Sequence, residues 1–320
     1  MNDAVTRPGH RPNFLVTGAT GQVGFEVVRA ISPLGRVFAP SRIELDLGSP
    51  GSIREAVRAI RPSVIINAGA YTAVDRAEIE RDACHAINAV APSVLAEEAA
   101  ASGSLLIHFS TDYVFDGSRG GPYVEDDQPH PVNWYGETKL AGEQAIQRVA
   151  GRFLILRTSW VFAARGANFF RTMLRLAHDR SEIRVVDDQS GCPTSARVLA
   201  ATTAVLVQQI GGSQGAATKS GVYHVTSPDY TTWAGFAEAI MMRLVRRRAE
   251  DSPRIVGIAS SEYPTAAKRP GFSVLSSENL GRTCGLWLPP WREQLELVAQ
   301  EYEATSGRAD SSAQRPARPA

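Results

Sequence analysis

The sequence lacks the marks of secreted, metal-binding and membrane-spanning proteins. Its three cysteines, Cys84, Cys192 and Cys284, are odd in number and far apart, which excludes a disulfide framework and matches no metal-ligand spacing. No apolar run approaches the roughly 20 residues that a membrane-spanning helix requires. The opening segment contains no apolar stretch of the signal-peptide kind. We therefore expect a cytoplasmic protein that does not associate with a membrane.

The chain also lacks an excess of charge of either sign. The chain has 34 Lys and Arg against 33 Asp and Glu, so it offers no electrostatic basis for binding nucleic acid or an anionic membrane. Lysine itself is scarce, since Lys139, Lys219 and Lys268 are the only three. A genome that favours arginine codons explains why arginine outnumbers lysine. The three remaining lysines nevertheless mark the positions where a compact ammonium group is kept.

The chain does contain a regular alternation of short apolar segments and longer amphipathic ones, beginning near residue 13. Continuous apolar strands alternating with helices predict a parallel sheet covered on both faces, an α/β Rossmann-like doubly wound fold. At 320 residues the chain also exceeds one average domain. We predict a dinucleotide-binding Rossmann domain over residues 13–165 and 195–226. A smaller substrate domain, partly inserted and partly C-terminal, would cover residues 166–194 and 227–305. Residues 1–12 and 306–320 would form two disordered tails.

The first predicted strand ends in a glycine-rich turn, "TGATGQVG", which opens the first helix. Gly18, Gly21 and Gly24 permit a tight turn and let a pyrophosphate approach the backbone N–H groups at the helix start. Gln22 and Val23 lie in the same turn. Because the motif follows a strand and begins a helix, its context matches dinucleotide binding. We predict that all five residues contact the cofactor.

The end of the second predicted strand bears on the choice of cofactor. A site that prefers NAD usually carries an acid there, which bonds the ribose 2′-hydroxyl. This chain has Ser41 and Arg42 instead, a hydroxyl and a cation that suit a 2′-phosphate, although Glu44 lies close by. We predict NADPH, with NADH as the alternative. Asp46 and Leu47 are expected near the adenine, unless Asp46 simply caps the next helix.

The segment "NWYGETKLAGE" places Tyr135 and Lys139 four residues apart, on one face of a helix. Packing of a tyrosine against a lysine stem is the ordinary explanation of such a pair. Thr111 and Asp112, however, follow a predicted strand at the sheet edge where ligands of α/β proteins bind. An ammonium group one turn away lowers the pKa of a phenol, and the Thr111 hydroxyl supplies a second donor. The arrangement predicts a general-acid site for carbonyl reduction.

Several segments resemble those of a known family, in the same order: "NAGAYTAVD", "STDYVFDG", "YGETK", "LRTSWVF", "VVDDQSGCPTSA", "YPTAAKRPGFSVLS" and "LPPWREQL". With the glycine motif they cover roughly residues 13–300. On these motifs the chain resembles the extended short-chain dehydrogenase/reductase superfamily and, within it, the dTDP-4-dehydrorhamnose reductases. Related 4,6-dehydratases carry an Asp-Glu pair after the threonine. Here Tyr113 stands where that glutamate would be, which favours a reductase.

The resemblance implies a reaction and a role for each residue of the predicted site. Tyr135 would donate a proton to the 4-keto oxygen of dTDP-4-dehydro-L-rhamnose while NAD(P)H delivers a hydride to that carbon. The product, dTDP-L-rhamnose, serves cell-surface polysaccharides such as the lipopolysaccharide O antigen. Lys139 would lower the tyrosine pKa and bind the nicotinamide ribose, and Thr111 would take the place of the catalytic Ser or Thr. The cofactor would pass beside Ala68, Gly69, Ala70 and Tyr71.

Substrate contacts are implied in the same way. Asp112 would line the substrate site and Trp160 would contact the sugar, although core packing explains a tryptophan after a strand equally well. Asn168, Gln189 and Arg269 would contact the nucleotide diphosphate, with a structural role as the alternative for each of them.

Two further expectations concern metal and assembly. Some members of the family bind Mg²⁺ at a dimer contact through two glutamates, one in the helix after the glycine loop and one just after the "PT" motif. Glu26 fits the first place, but Arg197 stands at the second, and a cation repels a metal ion. We therefore expect no Mg²⁺ and no other metal site, and either a monomer or a homodimer.

The sequence leaves two other functions open. One is a related nucleotide-4-keto-6-deoxysugar reductase with a different stereochemistry or nucleotide. The other is a non-catalytic, nucleotide-binding regulatory subunit, because the regulatory β subunit of methionine adenosyltransferase also resembles this family. Retention of Thr111, Tyr135 and Lys139 favours an enzyme.

Overall fold

The computed structural model describes residues 11–149, 151–211, 220–244 and 253–313. The first half of the chain alternates strands and helices. Its elements are β1 (Asn13–Thr17), α1 (Gln22–Ile31), β2 (Arg36–Phe38), α2 (Pro50–Ile60), β3 (Val64–Asn67), α3 (Val74–Ala77), α4 (Arg81–His85), a π-helical turn (Ala86–Val90), α5 (Ala91–Ser102), β4 (Leu105–Thr111), a 3₁₀ turn (Asp112–Val114), α6 (Trp134–Arg148) and β5 (Arg152–Thr158).

The second half has shorter strands and longer connections. Its elements are β6 (Val161–Phe162), α7 (Phe169–Asp179), β7 (Glu182–Val186), β8 (Ser190–Gly191), β9 (Thr194–Ser195), α8 (Ala196–Gly211), β10 (Gly221–His224), β11 (Thr231–Thr232), α9 (Trp233–Leu244), β12 (Arg254–Ile258), a 3₁₀ turn (Ser260–Glu262), α10 (Glu278–Cys284) and α11 (Trp291–Ala313).

Six strands form one parallel sheet in the order β2-β1-β3-β4-β5-β10. The strand order reverses at β1, because β2 pairs with one side of this strand and β3 with the other. In open α/β sheets a ligand crevice lies at such a point, outside the carboxyl ends of the strands. The loops that follow Thr17 and Asn67 therefore flank a crevice. The predicted α/β Rossmann-like fold is confirmed.

Side chains of the buried strands alternate between two cores, which explains why the strands read as continuous apolar runs. Leu15 and Leu106 pack with α2, α5 and α6, whereas Val16 and Ile107 pack with α1, α8 and α10. Both faces of the sheet are therefore covered by helices. Ser49 caps α2 by accepting a hydrogen bond from the Ser52 N–H group.

A separate core joins α7, β7, α9 and α11 through Phe170, Ile183, Phe236 and Leu295. In this part β12 pairs in parallel with β7. The helix α10 is different, because Leu280 belongs to the core of the six-stranded sheet although it lies in the range predicted for the substrate domain. The chain thus returns to the large sheet before its last helix.

The ends of the chain bear on the predicted tails. Helix α11 runs to Ala313, past residue 306, where we predicted the C-terminal tail to begin. The predicted tail residues 1–10 and 314–320 lie outside the described residues. Within the described ranges, no helix combines the length and the apolar character needed to cross a bilayer.

Candidate active site

The glycine-rich turn after β1 packs against the end of β3 so closely that no side chain fits. Gly18 has a left-handed backbone with φ of +66°, and a Cβ atom there would lie 2.5 Å from the backbone nitrogen of Gly69. A Cβ atom on Gly24 would lie under 3.0 Å from the carbonyl oxygen of Gly18. Gly21 donates a 2.9 Å hydrogen bond to that same oxygen, and Val23 packs on the sheet core. The turn leaves the amino end of α1 facing the crevice.

The turn after β2 folds Glu44 onto Ser41. The Glu44 carboxylate accepts a 2.7 Å hydrogen bond from the Ser41 N–H group, and its bonds with Ser41 lower the pKa of the carboxyl group. Arg42 is exposed, and within the described part of the chain it forms no ion pair. Its guanidinium group is therefore available to an anion.

Asp46 and Leu47 lie between β2 and α2. Asp46 accepts a 2.9 Å hydrogen bond from the Gly48 N–H group, and its own N–H group donates to Ser52 at 3.0 Å. These bonds give Asp46 a part in the turn that leads into α2. A Cβ atom on Gly69 would lie 2.5 Å from Leu47, so Leu47 borders the crevice. Adenine contacts stay a prediction for both residues.

The segment Ala68–Tyr71 after β3 borders the crevice opposite the glycine turn. Ala68 packs on the sheet core. The backbone of Tyr71 makes two hydrogen bonds with the Asn88 side chain. The Tyr71 N–H group donates to Asn88 at 2.9 Å, and the Tyr71 carbonyl oxygen accepts from Asn88 at 3.0 Å. Asn88 lies in the π-helical turn, a distortion that recurs at functional sites. The cofactor contacts of this segment stay a prediction.

Helix α6 approaches the end of β4 closely because a glycine follows Tyr135. Asn133 caps the helix, since its side chain accepts a 2.8 Å hydrogen bond from the Gly136 N–H group. A Cβ atom on Gly136 would lie under 3.0 Å from the carbonyl oxygen of Tyr113. The rings of Tyr113 and Tyr135 meet edge to face, with centroids 5.8 Å apart. This packing brings the Tyr135 hydroxyl next to Thr111.

The structure brings Thr111, Asp112 and Tyr135 together. Thr111 Oγ1 donates a 3.0 Å hydrogen bond to Asp112 Oδ1, and the Thr111 side chain lies close enough to Tyr135 to oppose the rise in the pKa of its phenol. Asp112 is only 2% exposed. Burial raises the pKa of its carboxyl group to about 7, although hydrogen bonds from Ser273 and Thr111 act in the opposite direction. A hydrogen-bonded carboxyl group and hydroxyl thus lie beside the phenol.

The prediction that the pKa of Tyr135 is lowered is wrong for this structure. Burial of the phenol raises its pKa, the bond with Thr111 opposes the rise, and the carboxyl group of Asp112 adds to it. The amine of Lys139 is directed at other groups. A phenol with a raised pKa keeps its proton at neutral pH, so Tyr135 is suited to donate a proton and not to accept one.

Lys139 is buried and directs its amine toward β4. The Nζ atom lies 3.1 Å from His108 Nε2 and 2.6 Å from the carbonyl oxygen of Phe109. Burial lowers the pKa of Lys139 to about 8, whereas Glu143 and Cys84 raise it. His108 is equally buried, and burial together with the charge of Lys139 puts its pKa well below the usual value. The lysine is therefore held behind the crevice by a neutral imidazole and a carbonyl group.

A cavity of about 1070 Å³ opens between α7, β7 and the segment that follows the second 3₁₀ turn. Gln189 and Arg269 both line it. The Arg269 guanidinium group donates two hydrogen bonds to Asp75, at 2.7 and 3.1 Å. Arg269 also lies near Tyr113, whose ring meets that of Tyr135, so the cavity adjoins the neighbourhood of Tyr135. A nucleotide-sized ligand fits this volume.

Trp160 follows β5 with a left-handed backbone, φ of +46°, which is unusual for a bulky residue. Its ring stacks on that of Trp233, with centroids 3.4 Å apart and planes 5° apart. Gly191 makes room for the indole, because a Cβ atom there would lie under 3.0 Å from it. Trp233 lines the cavity. The stack therefore joins Trp160 to the cavity, and contact with the sugar stays a prediction.

Asn168 has structural partners in the protein, and its predicted diphosphate contact stays a prediction. Its Oδ1 atom caps α7 by accepting a 3.0 Å hydrogen bond from the Arg171 N–H group. Its Nδ2 atom donates to Gln22 at 2.7 Å and to the carbonyl oxygen of Ala163 at 3.1 Å. Protein groups use both ends of the amide, so Asn168 ties the start of α1 to α7.

Arg197 on α8 lies beside Glu26 on α1. Its Nε atom is 3.6 Å from the Glu26 carboxylate, and its Nη2 atom is 2.9 Å from that of Glu301. The guanidinium group balances carboxylates that would otherwise attract a cation. In the part of the chain that the structure describes, no three His, Cys, Asp or Glu side chains are grouped to hold a metal ion. The absence of Mg²⁺ stays a prediction.

The fold and the position of the Tyr135–Lys139 helix define the class of protein, an extended short-chain dehydrogenase/reductase. Comparison with known proteins gives the family. The RmlD substrate binding domain family matches residues 12–304. A dTDP-4-dehydrorhamnose reductase of Burkholderia thailandensis is 47% identical over 291 residues, which cover 90% of this chain and 98% of the relative. The chain therefore belongs to the dTDP-4-dehydrorhamnose reductase family, and the resemblance seen in the motifs is confirmed.

Two other relatives agree. The dTDP-4-dehydrorhamnose reductase of Escherichia coli K12 is 40% identical over 300 residues, which cover 92% of this chain and 99% of that protein. The crystal structure of the dTDP-4-dehydrorhamnose reductase of Bacillus anthracis in complex with NADP superposes with a TM-score of 0.83 at 34% identity. The match covers 91% of this chain and 99% of that chain.

Four residues near the site escaped the sequence analysis: His108, Ser273, Asp75 and Trp233. His108 left a signal, because it is the only ionisable side chain in the predicted strand segment "SLLIHFST". The others left none. Ser273 and Asp75 reach the site only through contacts between segments that are far apart in the chain.

Proposed function

We propose that this chain is an NADPH-dependent dTDP-4-dehydrorhamnose reductase, which reduces the 4-keto group of dTDP-4-dehydro-L-rhamnose to give dTDP-L-rhamnose. The observation that carries the proposal is the grouping of Tyr135 with the hydrogen-bonded pair Thr111 and Asp112 at the carboxyl end of β4. It presents a protonated phenol beside a dinucleotide-type crevice. Relatives of 40% and 47% identity carry the name of this reductase.

The crevice fits a dinucleotide cofactor. The close approach of Gly18 and Gly69 leaves the backbone bare where a pyrophosphate would rest on the amino end of α1. Arg42 is exposed and has no ion pair among the described residues, which supports our assignment of this cation to a 2′-phosphate. The Bacillus anthracis structure, 34% identical, is a complex with NADP. When bound, the reduced nicotinamide supplies the hydride.

The protein contributes the proton. Tyr135 holds it at neutral pH, because burial raises the pKa of the phenol. As the ketone oxygen gains negative charge, Tyr135 transfers this proton to it. Thr111 lies beside the phenol, and its own hydroxyl donates to Asp112. For Thr111 to donate to the substrate oxygen as well, that hydroxyl must rotate away from Asp112.

The cavity supplies the substrate contacts. Arg269 offers a cation for the diphosphate and is held in position by its two bonds with Asp75. Gln189 lines the same space with an amide. The stacked rings of Trp160 and Trp233 supply a flat apolar surface for the sugar. Lys139, buried beside the crevice, would offer N–H groups to the nicotinamide ribose.

The test is NADPH oxidation by the purified chain with dTDP-4-dehydro-L-rhamnose, with the product identified by NMR. Tyr135→Phe should lower kcat by about 100-fold or more, since positioned acids contribute of that order. Tyr302→Phe, a phenol in the core shared with α11, is the matched control and should keep wild-type turnover.

The outcomes separate the proposal from its alternatives. Faster turnover of a different nucleotide-4-keto-6-deoxysugar would assign the chain to a related reductase. NADPH binding without any turnover would indicate a regulatory subunit. Equal rates for the wild type and Tyr135→Phe would remove Tyr135 from the mechanism.

A further inference from the structure

The backbone of Trp160 is held in a strained conformation from both sides. Its φ of +46° lies in the left-handed region, where a bulky residue is rarely found. The hydroxyl of Ser159 accepts from the Cys192 N–H group at 3.1 Å and donates to the Cys192 carbonyl oxygen at 2.9 Å. The Trp160 carbonyl oxygen accepts a 3.3 Å hydrogen bond from the Thr194 N–H group. Such strain persists only where the surroundings enforce it, and it is concentrated at functional sites.

Trp160 leaves the sheet at the edge that carries the predicted acid. Thr158, two residues earlier, pairs in register with Thr111 across β5 and β4. Both strands end here, so Trp160 follows its strand beside the segment of Thr111 and Asp112. Ligands of α/β proteins bind at this edge. A bulky ring that the protein keeps here on a strained backbone is therefore a candidate for substrate contact.

The strand that precedes Trp233 brings its ring to Trp160. β11 pairs antiparallel with β8, so that Thr231 lies opposite Gly191. Gly191 is the residue whose missing side chain makes room for the Trp160 indole. Trp233 follows Thr231 by two residues, and its ring lies parallel to that of Trp160 with centroids 3.4 Å apart. Phe169 also packs on Trp233, with ring centroids 4.6 Å apart.

The two indoles are closer than free aromatic rings prefer. Aromatic pairs favour an offset or edge-to-face arrangement with centroids about 4.5–7 Å apart. The stack therefore depends on the segments that carry the rings. Trp233 packs on the core that joins α7, β7, α9 and α11, whereas Trp160 follows a strand of the six-stranded sheet. The ring of Trp233 thus limits where the Trp160 indole can lie.

We propose that Trp233 is a positioning residue, which holds the Trp160 indole against the sugar of a bound nucleotide sugar. The contact of Trp160 with the sugar rests on the proposed function, whereas the stacking of the two rings does not. Trp233 also lines the cavity. Because Trp160 and Phe169 cover its ring, Trp233 acts on the sugar through Trp160 and not by direct contact.

Circular dichroism detects the stack without any ligand. Two indoles that lie face to face couple their electronic transitions and give paired bands of opposite sign in the far ultraviolet. Trp160→Phe and Trp233→Phe should each abolish these bands. Trp287→Phe, which changes an exposed indole between α10 and α11, is the matched control and should keep them. A wild type without the paired bands would overturn the inference.

Ligand binding tests the positioning role. Calorimetry gives the Kd of dTDP-L-rhamnose and that of dTDP, which lacks the sugar. Trp233→Leu should raise the first Kd about tenfold, as expected for the loss of an aromatic contact, and leave the second within about twofold of wild type. Trp233→Phe keeps a flat ring and should restore most of the affinity. Equal losses for both ligands would show that Trp233 contacts the nucleotide, which would overturn the positioning role.

A double-mutant cycle separates positioning from an independent structural effect. If Trp233 acts through Trp160, its removal should have no further effect once Trp160 has been replaced. The Kd of dTDP-L-rhamnose should then be the same in Trp160→Leu and in the double variant Trp160→Leu/Trp233→Leu. Additive losses would contradict the inference, because residues that act independently add their effects. If a leucine variant fails to fold, the same cycle with Trp160→Phe and Trp233→Phe decides.

None of these measurements needs turnover. A chain that gives the expected cycle but reduces no nucleotide sugar would refute the proposed function and leave this inference standing. A wild type that binds dTDP-L-rhamnose no more tightly than dTDP would overturn the inference, because the stack would then hold no sugar.

Discussion

Ser273 donates a 2.5 Å hydrogen bond to the buried carboxyl group of Asp112, across 161 positions of the sequence. The contact joins the segment beside the substrate cavity to the end of β4. Asp112 therefore belongs both to the group around Tyr135 and to the packing of a distant part of the chain. Because its pKa is raised to about 7, its protonation should make the stability of the folded protein depend on pH.

Asp112→Asn should remove a pH dependence of stability. The folded pKa of about 7 lies above the ordinary value of 3.8, so the folded protein holds a proton that the unfolded chain releases. The free energy of unfolding should therefore fall as the pH rises between these values, by an amount on the order of 4 kcal/mol. Denaturant midpoints measured from about pH 5 to about pH 8 should fall more steeply for the wild type than for Asp112→Asn. Parallel curves would show that the carboxyl group does not carry this pKa.

Lys139→Arg should lose most of the activity. The slot between His108 Nε2 and the Phe109 carbonyl oxygen, 3.1 and 2.6 Å from Nζ, holds a compact amine. A planar guanidinium group is larger than an amine, so it cannot fit this slot. We expect kcat to fall by about 100-fold in the NADPH oxidation assay, with circular dichroism unchanged. Wild-type turnover would contradict this account of the buried lysine.

Arg42→Ala should weaken NADPH binding selectively. An exposed cation without an ion pair among the described residues can meet a 2′-phosphate but has no counterpart in NADH. Loss of one charge-assisted bond should raise the KM for NADPH about tenfold and leave the KM for NADH unchanged. Arg54→Ala, which removes a surface arginine paired with Glu97, is the control and should change neither value. Equal increases for both cofactors would argue against a 2′-phosphate contact.

Gly136→Ala should displace Tyr135 from its position beside the end of β4. The added Cβ atom would lie under 3.0 Å from the Tyr113 carbonyl oxygen, so α6 must shift away from the end of β4. We expect a loss of about 1–3 kcal/mol in the free energy of unfolding, as for other overpacked sites, together with reduced kcat. At Gly121 a Cβ atom meets nothing within 4 Å, so Gly121→Ala should be silent in both measurements. A silent Gly136→Ala would show that this close approach is not needed.

Much of the fold follows from local patterns that the sequence displays openly. Strands buried on both faces must be apolar throughout, so segments such as "SLLIHFST" could be recognised without knowing their neighbours. Gly18 sits where the turn requires a left-handed backbone. Ser49 and Asn133 precede helices that they do cap in the structure. Tyr135 and Lys139 share a helix face because helical spacing alone decides it.

Only the tertiary structure decided what those side chains meet. The spacing of Tyr135 and Lys139 suggested an ion-assisted phenol, whereas the lysine amine bonds to His108 on β4 and the pKa of Tyr135 is raised. The sequence offered Asn168 either a diphosphate contact or a structural role, and only the structure shows that its amide caps α7 and donates to Gln22. The physical reason is the same in both cases. Helical periodicity sets the direction of a side chain, but its partner and its loss of hydration depend on segments that reach it from elsewhere in the chain.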